Sequence, residues 1–229
     1  MLLSIVMPVY NERELVRKIL AKVEKAPLPG MRREIILVDD GSTDGTRDVL
    51  RKLPKRFKVI FHKHNKGKGA AVKTGFKHAK GDIIIIQDAD LEYDPRDYAA
   101  CVKPIMDGKT EVVYGSRRLH KANKQFSGLS FYLGGLLVTW VTNVLYLTRI
   151  TDEPTCYKTF SRRLIKSIKI ESNRFDWEPE ITAKILKRGH KIIEVPIRYY
   201  PRHVDEGKKI KWSDGVDAIW TLVKYRFVR

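Results

Sequence analysis

The chain has 229 residues, 43% of them hydrophobic, and a formal charge of +18, a size and composition that suit one α/β domain with a full-sized core. The positive charge predicts an acidic partner: nucleic acid, an anionic membrane surface or a phosphorylated small molecule. Its two cysteines, Cys101 and Cys156, are far apart and lack metal-ligand spacing, so they indicate neither a disulfide framework nor a zinc site and fit a reducing cytosol.

The first half of the chain alternates between apolar runs and helical patterns, as βαβ units do. Strands are predicted at 3–7, 34–38, 58–62, 82–87 and 111–114. Helices are predicted at 12–25, 44–52, 69–79 and 95–106. Short connections and right-handed crossovers then predict a mostly parallel, Rossmann-like sheet with helices on both faces. No charged and apolar leader precedes the first strand, so we expect no secretion signal.

Polar residues follow three of these strands, where ligands of open α/β sheets bind. The four isoleucines at 83–86 lead directly to Asp88 and Asp90. If the strand stays extended through Ala89, both carboxylates share one side and can hold a hard cation such as Mg²⁺. A solvated acidic turn is the structural alternative. For the segment at 39–44, the alternative is a turn in which Ser42 or Asp44 caps the next helix.

A basic, glycine-rich segment, Asn-Lys-Gly-Lys-Gly at 65–69, leads into the third predicted helix. Backbone N–H groups at a helix N-terminus favour contact with phosphate or ribose. The segment lacks the spacing of a P-loop and of a dinucleotide fingerprint. Signatures of nucleic-acid-binding folds are also missing from the chain, so nucleic acid is not the expected partner.

The stretch 125–148 contains no charged residue, and its apolar side chains surround a polar stripe formed by Gly135, Thr139, Thr142, Asn143 and Tyr146. We expect Gly134 and Gly135 to split it into interfacial helices rather than one membrane span. A core helix packed against the sheet is the alternative.

The end of the chain carries a second apolar stripe at helical spacing, made of Val216, Ile219, Trp220, Val223 and Phe227. The basic residues Lys224, Arg226 and Arg229 point elsewhere. Such a helix fits either a membrane surface or packing on the domain. We expect a peripheral or monotopic protein, because no spanning segment follows the stripe.

Seven motifs occur in a specific order: VMPVYNE at 6–12, VDDGSTDGT at 38–46, NKGKGAA at 65–71, DADLEYDP at 88–95, GSR at 115–117, TDEPTCYKTF at 151–160 and EVPIRYYPR at 194–202. With them the chain resembles glycosyltransferase family 2 enzymes of the GT-A fold. Within that family it resembles the polyprenyl (dolichyl) phosphate sugar synthases, such as the dolichyl-phosphate mannose synthases. The resemblance covers nearly the whole chain.

The resemblance implies a role for each matching residue. It implies a nucleoside pocket formed by Pro8, Tyr10, Glu12, Val38, Asp39 and Asp40, with Lys68 beside it. It implies an Mg²⁺ or Mn²⁺ site that bridges the donor diphosphate, with Asp88, Asp90 and Glu92 as ligands and Ala89 between them. It implies cations for the donor diphosphate and the acceptor phosphate: Arg117, Arg202 and one of Lys208 or Lys209. Of all these, we expect the residues most directly involved in catalysis to be Asp90, Arg117, Arg202 and Lys209.

The implied function is inverting, metal-dependent transfer of a hexose from GDP-mannose or UDP-glucose to polyprenyl phosphate at the cytoplasmic face of the cell membrane. A single domain would do this, with 1–118 binding the nucleotide sugar and 119–229 the acceptor and the membrane. Because a phosphate acceptor is already an anion, no strong general base is needed. Two alternatives remain: transfer to a sugar hydroxyl, with Asp176 or Glu178 as general base, and a non-catalytic membrane-binding module.

One departure concerns the acceptor phosphate. Relatives place an arginine in the region matching 119–148, and this chain has none there before Arg149. His120, Lys121 and Lys124 are the substitutes that the sequence offers.

Overall fold

A computed structural model describes residues 1–123, 128–202, 209 and 212–228. Within this part of the chain, seven strands form one sheet in the order β3-β2-β1-β4-β6-β5-β7. The strands are β1 (Leu2–Val9), β2 (Arg32–Asp39), β3 (Phe57–Phe61), β4 (Ile83–Ile86), β5 (Val112–Ser116), β6 (Lys158–Ser161) and β7 (Ile192–Pro196). The helices are α1 (Val16–Lys25), α2 (Thr46–Arg51), α3 (Lys68–His78), α4 (Tyr98–Met106), α5 (Leu129–Tyr146), α6 (Arg162–Ser167), α7 (Trp177–Lys187) and α8 (Trp212–Phe227), with a 3₁₀ turn at Pro95–Asp97.

The predicted mostly parallel α/β sheet is confirmed. Every residue of β4 is fully buried, and so are Leu3 to Met7 of β1. Because successive side chains of a strand point to opposite faces, complete burial means that both faces of these strands are covered. The polar residues that follow β1, β2 and β4 consequently share one rim of the sheet.

Strand β6 was not predicted, and it runs antiparallel to both of its neighbours. It lies between β4 and β5, so these two strands are not paired directly. Strand β7, also not predicted, extends the sheet parallel to β5.

Helix α1 begins four residues later than predicted. Residues 12–15 form a turn in which the Glu12 carbonyl accepts hydrogen bonds from the N–H groups of Leu15 and Val16, at 3.1 and 2.9 Å. The turn leaves the Glu12 side chain pointing at the sheet rim instead of along a helix surface.

Helix α5 is continuous through Gly134 and Gly135, so the predicted split is wrong. Glycine inside a helix costs only about 1 kcal/mol relative to alanine, and tertiary packing can offset that cost. A second apolar cluster that includes Val138, Ala183 and Leu222 packs α5 against α7 and α8 rather than against the sheet. Among the described helices, α5 has the length and composition to cross a membrane, and 17% of its residues are buried.

Of the predicted stripe of helix α8, Ile219 packs against the neighbouring helices. Leu222 and Tyr225 are buried against the neighbouring helices. Val216, Trp220 and Phe227 of the stripe are exposed, Trp220 by 66%. The packing alternative is therefore wrong for these three side chains.

Candidate active site

The loops after β1 and β2 are tied together at the sheet rim. The Asn11 N–H donates to Ser42 Oγ at 3.0 Å, and Asn11 Oδ1 accepts from the Thr43 N–H at 2.8 Å. The Glu12 N–H donates to Thr46 Oγ1 at 3.0 Å. Asp44, not Ser42, accepts a hydrogen bond from the first backbone N–H of α2, at 2.9 Å. Ser42 thus holds the β1 loop, and the capping interpretation is wrong for it.

Asp39 lies at the end of β2 and is fully buried. Its Oδ2 accepts hydrogen bonds from the N–H groups of Gly41 and Ser42, at 3.2 and 3.4 Å. Among the residues the structure describes, none donates to its other oxygen, Oδ1. A buried acceptor without a donor is costly, so this oxygen suits an N–H or O–H group of a bound molecule.

Asp40 organises the glycine-rich loop that precedes α3. It accepts hydrogen bonds from the backbone N–H groups of Lys66 and Gly67, the latter at 2.7 Å. Its Oδ1 also lies 2.7 Å from Nδ1 of His62, whose Nε2 is 2.9 Å from Thr74 Oγ1. Direct contact of Asp40 with a nucleoside stays a prediction. His62 was not among the predicted site residues, because no local sequence pattern marks it.

Three other residues predicted for the nucleoside pocket lie along the same rim or just beneath it. Val38 is fully buried in the core, whereas Pro8 and Tyr10 are half-buried.

Lys68 is placed against two carboxylates, and its place beside the nucleoside stays a prediction. Its Nζ lies 2.9 Å from Asp88 Oδ2 and 3.0 Å from Glu178 Oε1. Burial acts to lower the pKa of Lys68, but the charges of Asp88 and Glu178 outweigh it and hold that pKa well above its usual value. Lys68 therefore stays charged and neutralises one side of the acidic rim.

The chain turns at Ala89 and Asp90 instead of staying extended, with Leu91 in the left-handed region at φ 66°. The Ala89 side chain is buried in the core. Burial, and then the charges of Asp88 and Glu92, raise the pKa of Asp90 to about 7. The negative charges of Asp88 and Glu92 thus both act on Asp90.

Glu92 ties a distant segment to this rim. One of its oxygens accepts from the Arg202 N–H at 2.8 Å, and the other from the Tyr199 hydroxyl at 3.3 Å. Within the described ranges, no three His, Cys, Asp or Glu side chains converge closely enough to hold a metal ion. Asp88 and Asp90 nevertheless fit a hard divalent cation chemically, because both are carboxylates and the pKa of Asp90 stays raised even with Arg202 3.3 Å away.

Two of the predicted cations converge on Glu12. Arg202 Nη2 is 3.1 Å and Lys209 Nζ 2.7 Å from Glu12 Oε1. Arg202 Nη2 also lies 3.3 Å from Asp90 Oδ2. Lys209 Nζ donates a further hydrogen bond to the Tyr10 carbonyl. The predicted alternative Lys208 lies outside the described residues.

Arg117 is held by a buried carboxylate. Its Nε and Nη2 lie 2.7 and 2.6 Å from the two oxygens of Asp152, and Nη2 also donates to the Pro154 carbonyl at 3.0 Å. Burial acts to raise the pKa of Asp152, but Arg117 outweighs it and keeps that pKa below its usual value. The guanidinium lies 5.1 Å from the ring centroid of Tyr199, which links Arg117 to Glu92.

Two of the three substitutes for the missing arginine lie within the described residues. Lys121 is exposed and His120 is half-buried. Lys124 lies outside the described residues.

The fold is that of a GT-A glycosyltransferase. The chain is similar to a crystal structure of glucosyl-3-phosphoglycerate synthase from Mycobacterium tuberculosis in complex with Mn²⁺, UDP and phosphoglyceric acid, with a TM-score of 0.76 and 20% sequence identity, over 99% of this chain and 79% of that one. Another structure of that synthase is a complex with Mg²⁺ and UDP. At this level of identity the likeness establishes the fold alone.

The chain belongs to glycosyltransferase family 2, because the model of the family described as Glycosyl transferase family 2 matches residues 4–168. The resemblance seen in the sequence is thereby confirmed. Dolichol-phosphate mannosyltransferase of Pyrococcus furiosus is 28% identical, over 100% of this chain and 68% of the relative. UDP-N-acetylglucosamine--dolichyl-phosphate N-acetylglucosaminyltransferase of Methanococcus voltae is 29% identical, over 86% of this chain and 85% of the relative.

Proposed function

We propose that this chain is an inverting, metal-dependent glycosyltransferase that moves mannose or glucose from a GDP- or UDP-sugar to polyprenyl (dolichyl) phosphate. The observation that carries the proposal is the rim itself, beyond the ends of the parallel strands, where Asp88 pairs with Lys68 and Asp90 with Arg202. Arg202 and Lys209 both pair with Glu12 at the same rim. The names of the relatives support the acceptor, since those enzymes act on dolichyl phosphate.

The donor diphosphate is proposed to bind across this rim. Asp88 and Asp90 would hold a divalent cation, which supplies positive charge to the departing diphosphate when bound. Arg202 and Lys209 are available to the phosphate groups because an incoming anion can replace the Glu12 carboxylate on both. Arginine suits this task because its guanidinium stays charged and can bind two oxygens at once.

The nucleoside is proposed to bind over the ends of β1 and β2. Asp39 Oδ1 offers it a buried acceptor, and Asp40 fixes the neighbouring loop through Lys66 and Gly67. Fixing the loop before the donor binds lowers the entropy cost of positioning it.

The acceptor phosphate is an anion and needs no strong general base. Its oxygen can attack the anomeric carbon opposite the leaving diphosphate, so a single displacement inverts the anomeric configuration. Transfer to a sugar hydroxyl has less support, because one candidate base, Glu178, is engaged by Lys68 at 3.0 Å. The other candidate, Asp176, accepts a hydrogen bond from the Arg174 N–H at 3.1 Å.

The lipid chain of the acceptor implies a membrane surface, which we place at α5 and α8 on the cytoplasmic side. Trp140 of α5 is 63% exposed, and Trp212 and Trp220 of α8 are also exposed. Exposed tryptophans beside basic residues such as Lys224 suit the interface between lipid and water. In this proposal the nucleotide-sugar part is 1–118 and the acceptor part is 119–229 of one domain.

A thermal-shift panel of nucleotide sugars, each with and without Mn²⁺, tests donor binding first, because a ligand that binds the native state raises its stability. We expect nucleotide sugars with one of the bases to raise the melting temperature of the protein, and only when Mn²⁺ is present. Incubation of that donor with dolichyl phosphate is then expected to give a lipid-linked sugar. No shift with any donor would favour the non-catalytic alternative.

A further inference from the structure

Helix α5 is apolar apart from the polar stripe that runs from Gly135 to Tyr146, and this stripe does not simply face solvent. Its residues face the loop 150–154 and helix α8. A Cβ on Gly135 would lie 3.4 Å from Pro154 Cγ, so the glycine lets this loop approach closely. Tyr146 donates its hydroxyl hydrogen to the Leu222 carbonyl of α8 at 2.7 Å.

Two residues of the stripe hold the loop directly. Asn143 makes a pair of hydrogen bonds with the backbone of Ile150: its Nδ2 donates to the carbonyl at 2.8 Å, and its Oδ1 accepts from the N–H at 3.0 Å. Thr139 Oγ1 accepts from the Glu153 N–H at 3.1 Å. These contacts flank Asp152 on both sides along the chain.

The same loop holds Arg117. Asp152 pairs with the guanidinium through two oxygens, and the Pro154 carbonyl accepts a third hydrogen bond. On the other side the loop is fixed to β7, where Glu194 accepts from the N–H groups of Thr151 and Asp152 at 2.7 and 3.0 Å. The position of Arg117 is therefore set jointly by the sheet and by α5.

The opposite face of α5 is apolar and exposed at Leu133, Leu137, Trp140 and Val144. One helix thus joins the surface proposed to meet lipid to the loop that holds Arg117. We propose that α5 couples membrane binding to the position of Arg117, with Thr139 and Asn143 as positioning residues. This inference rests on the proposed function, together with the phosphate-binding role that the family resemblance implies for Arg117.

Thr139 and Thr142 form a matched pair for the test. Both are buried in the same helix, and both donate to a carbonyl one turn earlier, at 2.8 Å to Gly135 and 2.9 Å to Val138. Only Thr139 also accepts from the loop. Thr139→Val therefore removes the link to the loop, and Thr142→Val makes the same chemical change without it.

The measurement is the affinity for inorganic pyrophosphate with Mg²⁺, by calorimetry, with and without vesicles of phosphatidylglycerol and phosphatidylcholine. We expect vesicles to tighten binding by the wild type and by Thr142→Val. We expect Thr139→Val to bind vesicles normally but to lose this tightening, by about five-fold for one hydrogen bond. Asn143→Leu, which removes both bonds to Ile150, should lose it as well.

The inference would be overturned if vesicles changed the pyrophosphate affinity of the two threonine variants equally. It would also be overturned if vesicles left the pyrophosphate affinity of the wild type unchanged. Thermal melting of each variant identifies a loss of folding, and Asn143→Leu then gives an independent measurement. Failure of sugar transfer to any acceptor would count against the proposed function alone, because pyrophosphate binding requires no acceptor.

Discussion

Replacing Asp152 by Asn should destabilise the protein far more than a typical surface change does. The substitution leaves the Arg117 guanidinium, whose side chain is 21% exposed, without the fully buried carboxylate that neutralises it. Breaking a buried pair in this way costs about 3–5 kcal/mol. For a chain of this size, each kcal/mol lowers the melting temperature by about 2–4 °C.

Asp48→Asn is the matched control. Asp48 pairs with Arg51 at 3.0 Å, but its side chain is 69% exposed. Exposed pairs contribute about 0–1 kcal/mol, so this variant should melt close to the wild type. The double variant Arg117→Met with Asp152→Asn should recover part of the loss, because it removes the unpaired charge.

The pH dependence gives a second check on the same pair. Arg117 lowers the pKa of folded Asp152 below the usual value of 3.8, so the unfolded chain binds this proton more readily. The stabilisation is then fully present above the unfolded pKa and is lost as the pH falls through the folded one. The difference in unfolding free energy between wild type and Asp152→Asn should be constant near neutral pH and shrink in acid. Equal melting of Asp152→Asn and Asp48→Asn at neutral pH would refute the reasoning.

Three further predictions concern the metal, the core and the lipid surface. Asp90→Asn should abolish Mn²⁺-dependent donor binding in calorimetry while the protein stays folded, because an amide is a poorer ligand than a carboxylate for a hard cation; unchanged Mn²⁺ dependence would remove the metal assignment. Gly75→Ala should destabilise strongly in urea unfolding, because its Cβ would lie 2.2 Å from Val6 Cγ1. Gly134→Ala, with open space around the new methyl group, should instead stabilise α5 by about 1 kcal/mol. A Gly75→Ala protein more stable than Gly134→Ala would contradict the packing described. Trp140→Gln and Trp220→Gln should each weaken sedimentation with anionic vesicles; full binding by the double variant would place the membrane surface elsewhere.

The sheet could be predicted where local sequence carries the signal. The four isoleucines of β4 are apolar, β-branched and followed by polar residues, and they form a buried strand as expected. Strand β6 offers no such signal, because it begins with a lysine. Lys158 is fully buried there by donating to the carbonyls of Glu153 and Thr155, at 2.6 and 2.8 Å. Those carbonyls come from a loop whose path the sequence does not reveal.

The candidate site shows the same division. Asp88 and Asp90 could be predicted to lie on the rim because they follow a predicted strand, and the carboxyl ends of parallel strands lie at one edge of the sheet. The ion pair of Lys68 with Glu178 joins residues 110 positions apart, so no local sequence pattern predicts it. The continuous α5 was missed because glycine propensity suggested a break, whereas packing against α7 and α8 decided the outcome.

The most direct test of the account is the anomeric configuration of the product. Wild-type protein, Mn²⁺, an α-linked nucleotide sugar and dolichyl phosphate should give a β-linked dolichyl phosphate sugar in NMR spectra. The product should disappear when a chelator removes the metal. An α-linked product, or equal yield with the chelator, would contradict a single displacement at a metal site formed by Asp88 and Asp90.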